Sequence, residues 1–244
     1  VSNGVAPGPF SITTAPIVSG DGNVLIRVRD IAGREELISS RFYSSPALLA
    51  PGLSDFSIEA GALRSDYALP EDRYEKPFVS GAYRRGISDS LTLEGGGSLA
   101  SSGPADVLGS ATVVIPAFGV ASLAAGWSQD HDGSGKQIAA SFERRTTQAS
   151  LALRAERSDE GYRQLGINPL LRIRNLDMAF FSYRFDGLGT LGLSFTRQQR
   201  ASSDSVEIVG ASFSTPASRI GSFIINALQS RSEEKNFSIS VFWI

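Results

Sequence analysis

Ala179-Phe180-Phe181-Ser182-Tyr183-Arg184-Phe185, then Asp186-Gly187, then Thr190-Leu191-Gly192-Leu193-Ser194-Phe195-Thr196: this stretch decides the fold class. In the first run Phe181, Tyr183 and Phe185 alternate with Phe180, Ser182 and Arg184, and in the second Leu191, Leu193 and Phe195 alternate with Gly192, Ser194 and Thr196. Strand side chains point to opposite faces with a period of two, so each run has one greasy side and one small or polar side. Asp-Gly between two such runs is the signature of a tight hairpin.

The pattern recurs outward from there. Leu151, Leu153 and Ala155 oppose Ser150, Ala152 and Arg154. Phe237, Ile239, Val241 and Trp243 oppose Ser238, Ser240 and Phe242. A second hairpin signal, Asp132-Gly133, lies between the runs 119–128 and 136–145. Helix-period stripes are scarce. The spacing predicts an all-β, antiparallel, up-and-down meander from about Leu53 to Ile244, with strands of roughly ten residues. The non-greasy face is rich in Ser, Gly, Ala and Thr, with Glu94, Arg154 and Arg184 as candidate lumen-facing charges. Such a face suits a wet lumen, and Trp127, Tyr183, Phe185 and Trp243 sit where interfacial aromatics of a transmembrane β-barrel belong. A large soluble β-barrel or sandwich presents the same alternation, so both readings stay open on pattern alone.

Composition removes other classes. Of 244 residues, 41% are hydrophobic and 20% charged, and the formal net charge is -2, with no block of one sign, so there is no electrostatic footprint for nucleic acid. There are no cysteines, which excludes disulfides and thiolate metal sites. No window approaches the ~18 apolar residues of a membrane helix. The first residue is Val1, and residues 1–10 lack a signal peptide's basic and apolar regions, so the chain reads as a mature or excised piece of a longer protein.

The amino-terminal part differs. Pro7-Gly8-Pro9-Phe10 opens it, Val24–Val28 reads as a strand, 30–34 as a turn, and Leu37–Phe42 as a second strand, together part of a small β-sandwich. Phe42–Gly52, with Pro46, Pro51 and Gly52, reads as a linker. Three motifs have bland readings. His131, between Asp130 and Asp132, carries part of a calcium-loop pattern but not the rest, and reads as a polar hairpin tip. Gly95-Gly96-Gly97 lacks the Lys-Ser/Thr of a phosphate loop and reads as small residues at a bend or packing site. Arg84-Arg85 and Arg144-Arg145 put one charge on each side of a strand end, and Glu233-Glu234-Lys235 is a solvated loop. No catalytic residue, metal site or cofactor is expected.

Gly8-Pro9-Phe10-Ser11-Ile12, followed by Gly20-Asp21-Gly22-Asn23-Val24-Leu25-Ile26-Arg27-Val28-Arg29-Asp30 and Gly33-Arg34, is similar to the plug of fimbrial outer-membrane ushers of the chaperone–usher pathway. Arg41-Phe42-Tyr43 through Pro51-Gly52-Leu53-Ser54-Asp55-Phe56-Ser57 resembles the usher's return from plug to barrel, and 81–95 the hairpin that follows. Residues 48–57 look closer to ushers of spore-coat-like pili than to those of type 1 pili.

The resemblance implies a plug end (1–41), a plug-to-barrel linker (42–52) and an incomplete transmembrane barrel (53–244) from a larger ring of about 24 strands. It implies an outer-membrane pore of a Gram-negative bacterium that exports and assembles pilus subunits delivered by a periplasmic chaperone, with outer-membrane lipid around it and no catalysis. Pro9, Phe10, Phe42, Tyr43, Pro46, Pro51 and Gly52 become candidate gating residues. A self-contained porin or barrel enzyme and a soluble binding module are the alternatives. An open half-barrel leaves unpaired strand edges in lipid, so the strands must belong to a larger ring or close as a smaller barrel of about a dozen strands.

Overall fold

A computed structural model describes residues 20–29, 35–44, 48–64, 74–169, 172–216, 221–232 and 235–244. Strands β1 (Gly20–Arg29) and β2 (Glu35–Ser44) form an antiparallel two-stranded sheet in which Ile26 faces Ile38. Strand β2 runs past the expected linker start: Phe42 and Tyr43 occupy paired strand positions opposite Gly22 and Asp21, because the ladder that holds the hairpin continues through them.

Twelve more strands form one antiparallel meander, each paired with its sequence neighbour. They are β3 (Ser54–Arg64), β4 (Tyr74–Ser88), β5 (Leu91–Ala100), β6 (Ala105–Ile115), β7 (Gly119–Asp130), β8 (Gly133–Arg145), β9 (Ala149–Ser158), β10 (Ile173–Phe185), β11 (Gly189–Arg200), β12 (Ser203–Ser214), β13 (Phe223–Arg231) and β14 (Lys235–Trp243). Both Asp-Gly hairpins form where expected. Gly133 and Gly189 open β8 and β11 with φ of 136° and 138°, and a Cβ on Gly189 would lie 2.1 Å from the Ser214 carbonyl oxygen. The sheet order runs from β3 to β14 with no ladder joining the two edges among the described residues, so the smaller closed barrel does not form.

The register aligns the greasy sides into one continuous face. A cross-strand row runs Leu151–Phe181–Leu193–Ala211–Ala227–Ile239 over six strands. The opposite row positions run Ser150–Ser182–Gly192–Ser212–Asn226–Ser240. No second layer covers the greasy face: Ile58, Leu123 and Ile239 are 75%, 66% and 62% exposed, while the buried apolar residues are Ala100, Val120 and Tyr162 alone among those described. A soluble sandwich buries that face against another sheet, and a soluble monomer does not expose an apolar surface of this extent. A transmembrane β-barrel turns it to hydrocarbon, and strands β3 to β14, of 9 to 15 residues, are long enough to cross it. Among the described residues no helix is long and apolar enough to cross a membrane, which leaves crossing to the strands.

Leu193→Arg on the greasy row is expected to cost about 2–4 kcal/mol of folding stability in lipid vesicles. Ser194→Arg on the opposite face should cost far less, as read by denaturant titration of the refolded full-length protein.

Candidate functional site

The small and polar face is the chemically furnished one. Ser98 donates to Asp106, Thr112 and Ser122 share a 2.9 Å hydrogen bond, and the Gln137 side-chain amide donates to Glu156. Arg154 reaches Glu156 at 3.0 Å and Arg145 reaches Glu143 at 3.5 Å. The register puts Arg84 opposite Glu94, Ser141 opposite Arg154, and Thr190 opposite Arg184. Glu94, Arg154 and Arg184, read from sequence as lumen-facing, therefore share this face and are all exposed. The paired arginines divide as expected: Arg84 and Arg145 join this face, Arg85 and Arg144 the greasy one. Gly95–Gly97 is strand interior, where a Cβ on Gly97 would lie 2.5 Å from the Asp106 carbonyl oxygen.

This face is less uniformly wet than the alternation suggested. Met178 and Phe180 of β10, Leu228 of β13 and Phe242 of β14 stand on it, between 44% and 53% exposed. Met178 and Phe180 are successive residues of this face on β10, and the register sets Phe180 in one row with Leu228 across Ser194 and Gly210, while Phe242 stands apart beside Ile224.

Two chain segments lie against the polar face. The first is the approach to β3. The Leu49 amide donates to Thr92 Oγ1 at 2.9 Å, the Gly52 amide to the Gly86 carbonyl at 2.9 Å, and the Gly86 amide to the Leu53 carbonyl at 2.9 Å. A Cβ on Gly86 would meet the Ala50 and Leu49 oxygens at 2.3 and 2.5 Å, so only glycine admits the segment there. Gly52 itself has φ of 81°, turning the chain after Pro51 into the sheet. Thr92 and Gly86 pair across β4 and β5 on the polar face, so this segment enters from that side. Pro9, Phe10 and Pro46 lie outside the described residues.

The second segment is the loop between β9 and β10; Gly161-Tyr162-Arg163 in it resembles the usher family in sequence, but its packing was not legible there. Tyr162 is 1% exposed and packs over Gly126 and Gly135, with the Gly135 Cα only 3.3 Å from where a Gly161 Cβ would stand. The Arg163 amide donates to Ser128 Oγ at 2.7 Å, and Ser128 is fully buried. Arg172 Nη1 donates to the Asp159 carbonyl at 2.7 Å and to the Tyr162 carbonyl. Burial raises the Tyr162 pKa above its ordinary value, so the phenol is neutral at physiological pH. The signal was present in part: Gly126, Ser128 and Gly135 are small residues on one face of β7 and β8, which is what a close approach requires.

At the β7–β8 turn, His131 Nδ1 is 2.5 Å from Asp130 and Nε2 is 3.0 Å from Asp132. The hydrogen bond to Asp130, then the charges of Asp132 and Asp130, raise the His131 pKa above its ordinary value, with the imidazole fully exposed.

A family model, that of the outer membrane usher protein, matches residues 1–238. The chain belongs to the outer membrane usher family. Among curated ushers it is 29% identical to YehB of Escherichia coli K12 over 140 residues, covering 55% of the chain and 16% of YehB. It is 30% identical to FaeD of Escherichia coli over 166 residues, covering 65% of the chain and 19% of FaeD. The chain thus spans about a fifth of these relatives' length or less. Its fold is that of the P pilus usher (PapC) translocation pore, with a TM-score of 0.66 at 18% identity over 92% of the chain and 48% of the pore chain. It also matches a chain of the E. coli P pilus tip assembly intermediate PapC-PapD-PapK-PapG, with a TM-score of 0.70 at 18% identity over 89% of the chain and 29% of that chain. The open twelve-stranded sheet is therefore an arc of an outer-membrane usher barrel. The usher relatives are named as ushers, and none as an enzyme.

Two outcomes test this site. Gly135→Val places side-chain carbons where the Cβ alone would be 1.8 Å from the Tyr162 nitrogen, so the loop should detach. Limited proteolysis within 159–169 is expected to become rapid in the variant and to stay slow in the native usher. An NMR titration of the His131 imidazole should give a midpoint above 6.5, and Asp130→Asn should lower it, because the largest of the stabilising contacts to the imidazolium is then lost.

Proposed function

We propose that this chain forms part of the wall and the plug-side tether of a gated export pore, through which an outer-membrane usher passes pilus subunits delivered by a periplasmic chaperone and aligns them for assembly. The observation that carries the reading is the path of residues 48–53. That segment is bonded to the Thr92 hydroxyl and lies over Gly86 on the polar face, the side opposite the greasy one, and so delivers the preceding hairpin to the pore interior. Strand β1 comes within 8 Å of β8, Cα to Cα. The likeness to a pilus assembly intermediate holding PapD, PapK and PapG supports chaperone–subunit complexes as the partners.

On this reading the residues up to Ser44 end a plug, 45–52 hold the tether, and 53–244 line the pore. Glu94, Arg154 and Arg184 face the cargo. A lumen must hold a folded subunit without trapping it. Hydroxyls, glycines and charges that already bond one another offer only weak contacts, while the exposed Met178–Phe180 patch offers a limited apolar counter-surface. Assembly by strand addition between subunits supplies the driving force, and the usher contributes the channel and the register. No step is catalytic.

Pro46, Pro51 and Gly52 limit the conformations of the tether, with Pro9, Phe10, Phe42 and Tyr43 on its plug side. Gly86→Val in the full-length usher is expected to displace residues 49–50 and to raise both pore conductance in planar bilayers and cell entry of large antibiotics. Replacing Pro46 and Pro51 with Gly should act in the same direction, more weakly. Conductance unchanged in Gly86→Val would contradict the tether's role.

A further inference from the structure

Beyond the pore itself, the greasy face carries a charged row that a lipid-facing wall does not require. One cross-strand row reads Asp177, Arg197, Glu207, Arg231 and Lys235 on five consecutive strands, β10 to β14. Arg157 of β9 lies on the same face beside Asn175 and reaches Asp177 at 2.6 Å. Its guanidinium is held further by the Glu156 and Leu176 carbonyls at 2.8 and 3.0 Å. Arg197 reaches Glu207 at 3.6 Å and Ser205 at 3.3 Å. Four cations stand against two carboxylates, so the row carries a surplus of positive charge, and the carboxylates orient two of the guanidinium groups. On β5 to β7 the same face carries no such charge: it reads Leu93, Val107, Ala111, Leu123 and Trp127 at the corresponding faces of those strands.

Three features say what the row meets. It stands at the end of the sheet that holds the two longest connections, residues 65–73 and 159–172, whereas at the opposite end every connection but 215–222 has two or three residues. Outer-membrane barrels keep short turns in the periplasm and long loops outside, so the row faces the outer leaflet. Directly toward the membrane centre lies an open apolar depression of about 410 Å³, lined by Ala140, Ala155 and Ala179 with Phe142, Leu153 and Phe195. Asp177 borders both this depression and a smaller polar one of about 200 Å³ formed with Arg157, Asn175, Arg197 and Gln199. A cationic rim above an acyl-sized groove matches an amphiphile with a phosphorylated head and an apolar tail. Arginine's planar donors suit phosphate.

We infer that the β9–β14 wall binds a phosphorylated glycolipid of the outer leaflet, its phosphates on Arg157, Arg197 and Arg231 and an acyl chain in the depression below. This rests on the greasy face meeting lipid, which the Leu193→Arg folding measurement checks separately.

The test uses the full-length usher in detergent and native mass spectrometry. The probes are lipid A with both phosphates, lipid A with its phosphates removed, and phosphatidylethanolamine. The native protein is expected to retain bis-phosphorylated lipid A at least tenfold more than either other probe. Combined Arg157→Gln, Arg197→Gln and Arg231→Gln should weaken that retention by about a hundredfold, from three lost contacts of a cation with an anionic surface. Arg85→Gln with Arg144→Gln, at the opposite end, should leave it unchanged, and pilus assembly by each variant reports that it folds. Equal retention of the three probes by the native protein overturns the inference without any variant. Undiminished retention by a folded triple variant, or an equal loss in the opposite-end pair, overturns it as well.

Discussion

Inside hydrocarbon there is no water to satisfy a backbone N–H or C=O, and each one left bare costs several kcal/mol. That constraint governs the rest of this structure. It selects a meander in which each strand pairs with its neighbours in sequence, twelve strands in unbroken order. It also explains why an arc with two open edges belongs inside a larger ring, and the match to 48% of a translocation-pore chain fits that account. Once the ladders are fixed, a period of two assigns every side chain to lipid or lumen, and the register carries that assignment from strand to strand without slipping.

The two faces then do different work. Over most of its height the greasy face carries apolar groups, flanked by interfacial aromatics such as the stacked Phe223 and Trp243. The polar face is where the chain departs from plain alternation. Two segments fold against it, each at a place where the sheet offers glycine: residues 48–53 over Gly86, and the β9–β10 loop over Gly126 and Gly135. A β-sheet face is otherwise too crowded by Cβ atoms for another backbone to come so near. Glycine is thus the means by which a uniform wall acquires a close-lying approach to β3 and an in-folded loop at defined positions.

The barrel strands were legible in the sequence because alternation and turn chemistry are local. Both Asp-Gly signals fall at the turns between strands, and the four clearest runs fall inside the strands formed. Glu94, Arg154 and Arg184 could be placed on one face for the same reason. The limits of β2 were less legible, since Phe42 and Tyr43 continue a ladder whose length is set by its partner, not by their own propensity. The packing of Tyr162 and Arg172 was missed because it joins residues some thirty positions apart through loop geometry. The charged row of β10 to β14 was missed because each strand contributes a single charge, unremarkable until the register lines them up. The contrast between soluble sandwich and membrane wall was decided by exposure, a property alternation alone does not contain.

The central claim is that one face of this sheet meets hydrocarbon and the other meets water. Single spin labels at Leu151, Leu193 and Ile239, and at Ser150, Ser194 and Ser240, in the full-length usher reconstituted in bilayers, test it most directly. Collision with dissolved oxygen should dominate at the first three positions and collision with a water-soluble relaxation agent at the second three. The reverse partition, or the same accessibility at all six positions, would contradict the account.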